Sequence, residues 1–460
     1  FGFGGLSDQH LDAKKDSASW ESDDDRFNDT YLSNTGAVGL KHSIILNPNT
    51  HLQTSIVFSG NETGDKAYKL DDNYSEDLHN DEKYIHKKIT FSSVLNHKFS
   101  ARHSIRSGVY LNKLYYEIYM SDMNEQTLEL EKLLNARGSA EMIQAFGQWN
   151  FRATEKLTFN AGLHYLNLLL NNTSSFEPRA SASYVLKEGE NLSIGYGLHS
   201  QVQPIGNYFA QVQNADGTYS RPNENLDVTK SHHMVLAYDN SINDHLRLKV
   251  EAYYQRLFNI PISPDPNSTL ALINSQGGYE TDQLVNDGVG RNYGLELTLE
   301  QFMHNNVYFV ISSSLYDSKY KAADGLWRNT RYNGNYSFNI TAGKEFIRKK
   351  DRVFGINFRV VYSGGFRDTP IDFEKSIENH ETEYVEALAF SEKLPDYFRT
   401  DLRLSMKRNR PKSTHTLAID IQNVSNHENI FGRYFEPLTG VVKTAYQLPL
   451  LPVLSYKVEF

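Results

Sequence analysis

The sequence has no cysteine among its 460 residues. This absence excludes a disulfide scaffold and any metal site built on thiolates. The sequence also has no apolar run near the roughly 20 residues that a membrane-spanning helix requires, so an α-helical membrane protein is excluded. Nothing resembles a nucleophile elbow such as G-x-S-x-G, and we expect no enzyme, no metal site and no cofactor. The formal net charge of -9 argues against a nucleic-acid partner.

Apolar residues are scarce and aromatic residues are plentiful. Hydrophobic types make up 39% of the chain and the mean hydropathy is -0.55, whereas tyrosine and phenylalanine number 29 and 25. A transmembrane β-barrel explains both facts. Only alternate residues of each strand face lipid in such a barrel, and aromatic side chains form girdles at the two membrane interfaces.

Apolar and polar side chains alternate with a period of two, which is the pattern of a β-strand with two different faces. The alternation is clear in residues 246–255, 295–300, 354–360 and 402–407, where apolar side chains oppose mostly charged or amide side chains. An arginine or lysine that faced lipid near the membrane midplane would cost roughly 2–4 kcal/mol. We therefore expect the polar face to line a wet lumen.

About 18 alternating segments are present, and short turns alternate with longer connections between them. This pattern predicts an all-β fold, a transmembrane antiparallel barrel with short turns on the periplasmic side and long loops outside. A soluble β-sandwich would not separate loop lengths so regularly. A short turn is predicted at Arg348 to Asp351. Longer connections are predicted at Asn61 to Glu82, Ser121 to Gly138, Val202 to Val228, Pro261 to Asp287, Gly364 to Asp396 and Asn423 to about Pro449, the last with a hairpin at Leu438 to Gly440.

Both ends of the sequence have the character of a strand. The alternation is clean from Leu454 to Phe460, and the chain ends on phenylalanine, as the closing strand of an outer-membrane barrel typically does. The opening residues, Phe1 to Gly5, have the character of the middle of a strand. No signal peptide precedes them, so we expect an N-terminal part of the gene product outside this sequence.

Four segments resemble the barrel of TonB-dependent outer-membrane receptors, most closely those of Bacteroidetes-type bacteria. They are the Pro-Arg strand opening in Phe176 to Tyr184, the Gly-Leu-Glu-Leu pattern in Asn292 to Leu297, the asparagine-containing turn in Asp420 to Asn426, and the closing strand from Leu451 to Phe460. The resemblance covers most of the chain and assigns residues 1–460 to the barrel domain. It implies a barrel of 22 strands, filled by an N-terminal plug, in the bacterial outer membrane. Such receptors import large or scarce solutes, such as ferric siderophores, cobalamin or glycans, with energy delivered by TonB.

The sequence departs from this family at its start, where we recognise neither a plug nor a TonB box and expect about four barrel strands to lie outside this sequence. Contact with the TonB complex is therefore expected through the missing N-terminal region. Outer-membrane lipid and lipopolysaccharide are the expected surroundings, and a surface lipoprotein is a further candidate partner. Two other functions stay open, which are a passive porin-like channel and a structural or assembly barrel that carries lipoproteins.

Acidic clusters at Asp23 to Asp25 and between Asp71 and Glu82 are predicted in external loops. Such clusters bind divalent cations shared with lipopolysaccharide phosphates, or they are simply solvated. The adjacent His232 and His233 are expected to point to opposite faces of a strand, which disfavours a joint metal site.

Aromatic side chains in the long connections are the best ligand candidates. Aromatic faces with arginine nearby stack on sugars or cradle anionic chelates. The alternative is that these side chains pack within their own loops or anchor at the membrane interface. The candidates are Tyr208, Phe209, Tyr219, Arg221, Tyr279, Trp327, Arg328, Phe366 and Arg367.

Overall fold

The computed structural model describes residues 1–124, 127–213, 218–348 and 351–460. Parts of the predicted connections at 121–138 and 202–228, and of the predicted turn at 348–351, lie outside these residues.

Within these ranges the main sheet has 19 strands, one of which is the three-residue strand Trp327–Asn329. The other 18 pair antiparallel, each with the next along the chain, so the predicted number of strands is confirmed. Their bounds are β1 Gly2–Leu11, β2 Phe27–Asn47, β3 Thr50–Leu70, β4 Glu76–Lys98, β5 His103–Asn124, β6 Glu129–Arg152, β7 Leu157–Leu168, β8 Thr173–Lys187, β9 Glu190–Gln201, β10 Thr229–Asn243, β11 Leu246–Ile262, β12 Val285–His304, β13 Val307–Lys321, β14 Tyr336–Arg348, β15 Arg352–Ser363, β16 Tyr397–Asn409, β17 Thr414–Gln422 and β18 Leu451–Glu459.

Apolar side chains point outward in rows that cross several strands. Leu236, Ala252, Leu295 and Leu315 are direct neighbours on four successive strands, and the three leucines are each about half exposed. The positions between them carry polar side chains on the opposite face. This arrangement gives an apolar outer wall and a polar inner wall, as the period-two pattern predicts.

The inner wall matches many of its charges across neighbouring strands. Arg403 on β16 donates to both oxygens of Asp420 on β17, at 2.8 and 2.7 Å. Arg247 on β11 donates through Nε to Asp239 on β10 at 2.9 Å. Charged groups on this face therefore meet partners without contacting lipid.

Short turns and long connections alternate as predicted. Asn305 and Asn306 join β12 to β13 with φ of 52° and 62°, the left-handed pair that a tight hairpin turn requires. At the other end, the connections run up to residues 364–396 between β15 and β16.

Two predicted loops are wrong because the strands continue through them. β3 runs to Leu70 and β4 begins at Glu76, so the acidic stretch is mostly strand and only residues 71–75 connect it. β5 likewise extends to Asn124 and β6 begins at Glu129.

The long connections carry short elements of their own. The predicted hairpin at Leu438 to Gly440 is confirmed, since the strands on either side of it pair. None of the helices in the described ranges is long or apolar enough to cross a membrane. The short strands are Val212–Gln213 with Tyr219–Ser220, Arg367–Asp368 with Glu392–Lys393, and Ile430–Glu436 with Val441–Tyr446; the helices are α1 Phe373–Asn379 and the 3-10 turns Ser17–Ser19, Asp23–Arg26, Ile205–Phe209, Leu272–Asn274 and Glu386–Leu388.

The two ends of the sheet meet through their loops. β1 pairs with β2 and β18 pairs with β17, and no pairing joins β1 to β18 within the described ranges. The backbone N–H of Asp23 donates to the carboxylate of Glu436 at 2.9 Å, and Lys443 donates to the carbonyl of Glu21 at 2.6 Å. The first and last loops are thus in contact, whereas the sequence pattern predicts closure by the last strand itself.

Candidate functional site

The β9–β10 loop (residues 202–228) folds back onto the inner wall. Tyr208 and Phe209 are buried, and the Phe209 ring lies 4.9 Å from that of Tyr116 on β5. The guanidinium carbon of Arg221 lies 5.6 Å from the Phe209 ring centroid, which is a cation–π contact. Three of the predicted ligand residues are therefore brought together, in a packed cluster.

The β11–β12 loop (residues 263–284) joins the same cluster through Tyr279. The Tyr279 hydroxyl lies 2.7 Å from Nε2 of His86, and its ring meets Tyr84 edge-on at 5.1 Å. A Cβ at Gly206 would come within 2.3 Å of the Tyr279 ring, so the two loops touch closely. Burial raises the pKa of both Tyr208 and Tyr279 to about 12, and both phenols stay neutral at physiological pH.

The β13–β14 loop (residues 322–335) places Trp327 and Arg328 beside one another. The guanidinium of Arg291 lies 4.4 Å from the Trp327 ring centroid. Arg328 is held by Asp324 at 2.6 Å and donates to the carbonyl of Ala387 at 3.5 Å. Arg328 therefore connects its loop to the β15–β16 loop.

The β15–β16 loop (residues 364–396) brings Phe366 and Arg367 to the same region. Phe366 packs edge-on against Tyr332, with ring centroids 5.5 Å apart. Arg367 donates to the carbonyl of Asn333 at 3.0 Å and to the side chain of Asn335 at 2.7 Å. Arg367 thus ties two long loops together at the loop end of the barrel.

A fifth loop, between β17 and β18, extends this network. Arg433 donates to Glu392 at 2.8 Å and lies 3.8 Å from Asp368, which links this loop to the β15–β16 loop. Burial raises the pKa of Asp368, and the positive charge of Arg433 opposes that rise. With the contact between Asp23 and Glu436, the loops form one connected assembly around the mouth of the barrel.

Eight of the nine predicted residues therefore lie in two groups, and the nine differ in exposure. Tyr208, Phe209, Arg221 and Tyr279 belong to the first group, and Trp327, Arg328, Phe366 and Arg367 to the second. Tyr219 lies on its loop with its side chain 62% exposed. The exposed members are Tyr219, Arg221, Trp327 and Phe366.

A histidine-rich cavity of about 580 Å³ lies on the inner wall below the first group. The rings of His199 and His233 lie there at a tilt of 42° with centroids 4.5 Å apart, whereas the ring of His232 bonds to the hydroxyl of Tyr196 on the other face. The prediction that the adjacent histidines point apart is confirmed. Within the described ranges, no three His, Asp or Glu side chains are grouped so as to hold a metal ion.

A second inner-wall cavity of about 450 Å³ was not predicted. It is lined by Tyr253, Gln255, Asn292 and Tyr316, with Tyr332 from the loop above. The alternation places Tyr253 and Gln255 on the inner face, which was the available signal. Their sequence neighbours on that face are charged, so the pattern indicates a wet wall rather than a ligand surface.

Comparison with family models gives one match. Residues 2–424 match the model described as TonB dependent receptor-like, beta-barrel. A comparison with curated proteins found no match.

Three solved structures with a similar fold are distant in sequence. The ferric-catecholate import receptor Fiu from Escherichia coli K12, in its closed form, is 14% identical, with 94% of this chain and 64% of that chain covered and a TM-score of 0.64. The ferric yersiniabactin uptake receptor FyuA from Yersinia pestis is 11% identical, with 94% and 62% covered and a TM-score of 0.62. The RagAB peptide transporter is 10% identical, with 87% and 58% covered and a TM-score of 0.57. This chain therefore spans less than two thirds of the length of each of these three.

Proposed function

The chain belongs to the TonB-dependent receptor-like β-barrel family, and from this premise we propose that it imports a large or scarce solute with energy delivered by TonB. Barrels of this family are receptors and transporters of the bacterial outer membrane, so the chain is an outer-membrane protein and not an enzyme. We propose further that residues 1–460 act as one barrel domain.

The connected loop assembly is the observation that carries the proposal. A passive channel needs an open mouth, whereas here the β9–β10, β11–β12, β13–β14, β15–β16 and β17–β18 loops bond to one another or to the inner wall. A mouth framed in this way suits capture of a ligand before its transport. With 18 long strands, the interior is too wide for wall side chains alone to fill, so there is room for a ligand path.

The solute classes under this proposal are a ferric siderophore, cobalamin, a glycan or a peptide. Import receptors for ferric siderophores and a peptide transporter share the fold. The exposed Tyr219, Trp327 and Phe366 are proposed as loop contacts to the solute. Tyr208, Phe209, Arg221, Tyr279, Arg328 and Arg367 are proposed to contribute by holding those loops in place.

The partners follow from the same proposal. The TonB complex would supply energy, and outer-membrane lipid and lipopolysaccharide would surround the apolar outer wall. A surface lipoprotein over the mouth is a further proposed partner. If the barrel is instead a scaffold for such lipoproteins, it transports nothing.

Growth of a deletion strain tests the proposal. The strain is grown with iron, cobalamin, defined glycans or peptides as the limiting nutrient, and is complemented with the native gene. We expect a growth defect on one nutrient that complementation repairs, and no repair in a strain that lacks functional TonB. Repair without TonB would indicate a passive channel. Normal growth on every nutrient, with lipoproteins co-purifying, would indicate a scaffold.

A further inference from the structure

The second inner-wall cavity lies between the middle of the wall and the external loops. Tyr253 and Asn292 lie near the middle of their strands, Ser318 lies three residues from the loop end of β13, and Tyr332 lies in the loop above. Its volume of about 450 Å³ is in the ordinary range for a small-molecule site.

One side of the cavity is a flat aromatic surface. Tyr253 pairs directly with Gly294 on the neighbouring strand, and a Cβ at Gly294 would come within 2.8 Å of the Tyr253 hydroxyl and 2.9 Å of its ring. The end of the side chain, Cζ and the hydroxyl, therefore lies against the bare backbone of the glycine. Tyr253 also lines the cavity, so its ring borders the lumen.

Among the described residues of the inner wall, two more tyrosines lie close to a glycine on the neighbouring strand. Tyr116 lies over Gly138, but Phe209 covers its ring at 4.9 Å. Tyr308 lies over Gly343, and its hydroxyl is bonded to Asn357 at 2.7 Å. Tyr253, in contrast, lines the cavity described above.

Polar groups beside Tyr253 are ordered by a chain of hydrogen bonds. Thr330 donates to Ser318 at 2.8 Å, Ser318 donates to Asn292 at 2.7 Å, and Asn292 donates to Gln255 at 3.0 Å. Because Gln255 accepts through its oxygen, its amide nitrogen is the group left to donate to a ligand.

The charge of the lining narrows the class of ligand. Glu251 and Glu296 face each other across β11 and β12, and Glu251 is paired with Lys249 at 2.6 Å. The described residues that line the cavity include no lysine, arginine or histidine. An anionic chelate would be repelled, whereas carboxylate and amide groups suit the hydroxyls of a neutral ligand.

We propose that this cavity binds a pyranose ring of a neutral carbohydrate. The apolar face of the ring stacks on Tyr253, while Gln255, Asn292 and Glu296 bond to its hydroxyls. The proposal rests on the import function proposed above and names the solute class.

The test is equilibrium binding to the full native protein, purified in detergent without TonB. The probes are maltohexaose, cellohexaose, laminarihexaose and mannohexaose, with ferric citrate as an anionic chelate and hexalysine as a cationic peptide. We expect at least one hexasaccharide to bind, and Tyr253→Ala to weaken it about tenfold through loss of stacking. Tyr253→Trp keeps a flat face and is expected to retain binding within about threefold.

Two further variants separate the alternatives. Tyr308→Ala removes a glycine-seated tyrosine outside the cavity and is the matched control, for which we expect unchanged affinity. Glu296→Gln keeps hydrogen bonding but removes a charge, so a neutral sugar should lose less than about threefold, whereas a cationic ligand should lose tenfold or more. Folding of each variant is checked by its heat-dependent gel mobility.

Failure to bind any hexasaccharide, or binding that Tyr253→Ala leaves unchanged, would overturn the inference. Binding of hexalysine or ferric citrate in a manner that depends on Tyr253 would overturn it too. Binding is measured without TonB, so a protein that binds a sugar but does not import it would contradict the import function and leave this site standing.

Discussion

The close packing of inner-wall tyrosines against glycines of the neighbouring strand can be tested by adding one methyl group at such a glycine. In Gly343→Ala, the new Cβ would lie 2.3 Å from Oδ1 of Asn357 and 2.4 Å from the Tyr308 ring. Both neighbours must move, and the 2.7 Å hydrogen bond between them is strained or lost. Overpacking costs about 1–3 kcal/mol and the hydrogen bond about 1 kcal/mol, so we expect the free energy of unfolding to fall by about 2–4 kcal/mol.

Gly195→Ala is the matched control, because Gly195 also lies in a strand on the inner wall. Its added Cβ would meet only the Cβ of Ser181, at an ordinary 3.8 Å. Alanine restricts the unfolded chain more than glycine does, so this change should be neutral or stabilising by about 0.5–1 kcal/mol.

Urea-induced unfolding in lipid vesicles, followed by tryptophan fluorescence, measures both variants. The double variant Gly343→Ala with Tyr308→Leu should be less destabilised than the two single changes add up to, since removing the ring relieves the clash. Equal midpoints for Gly343→Ala and Gly195→Ala would refute the close seating of Tyr308. Tyr253 contacts Gly294 through Cζ and its hydroxyl, so the corresponding Gly294→Ala variant would test the packing of Tyr253 in the same way.

Three other changes probe the loops. Arg367→Ala should free the β15–β16 loop from the carbonyl of Asn333 and the side chain of Asn335. Protease digestion of intact cells should therefore cut residues 364–396 faster in this variant than in the wild type. Lys375→Ala, at an exposed position of the same loop, is the control. Hydrogen bonds from Tyr336 and then Tyr362 lower the pKa of Asp396 to about 2 from 3.8, so its contribution is present above about pH 4 and lost as the pH falls towards 2. Pepsin should therefore attack the wild-type loop increasingly between pH 4 and 2, whereas Asp396→Asn should be susceptible at pH 4 already, and identical profiles would contradict this. Glu436→Ala leaves the N–H groups of Asp23 and Leu438 without their acceptor, and hydrogen exchange should accelerate in both the first and the last loop; exchange confined to residues 423–450 would show that the two loops are not coupled.

The sheet could be predicted from sequence because lipid and water act on alternate side chains. The prediction failed where strands have water on both sides. Residues 61–70 and 76–82 are strand, yet polar side chains occupy both faces, so the period-two signal is lost while backbone pairing continues. Cross-strand ion pairs replace apolar contacts there, such as Lys66 with Asp81 at 3.5 Å.

The loop candidates could be predicted as residues but not as an arrangement. Tyr208 and Tyr279 are 71 positions apart, and the contact that buries them depends on how two loops fold onto one wall. Aromatic composition does not distinguish a side chain that packs from one that stays exposed. Contacts such as Asp23 with Glu436 join residues at opposite ends of the chain and leave no local pattern.

The segment Asn292 to Leu297 combines a feature that the alternation pattern predicts with a contact that depends on the register of two strands. Tyr293, Leu295 and Leu297 point outward and are exposed at the apolar wall, which the alternation predicts. Asn292, Gly294 and Glu296 point inward, and within a strand a glycine usually weakens pairing because it packs nothing. Here Gly294 offers bare backbone against which the end of the Tyr253 ring lies, so the loss is offset by an aromatic contact from the neighbouring strand. An inward glycine directly opposite an inward tyrosine thus indicates an aromatic contact between two neighbouring strands. The contact can be recognised in the sequence only once the register of the two strands is known.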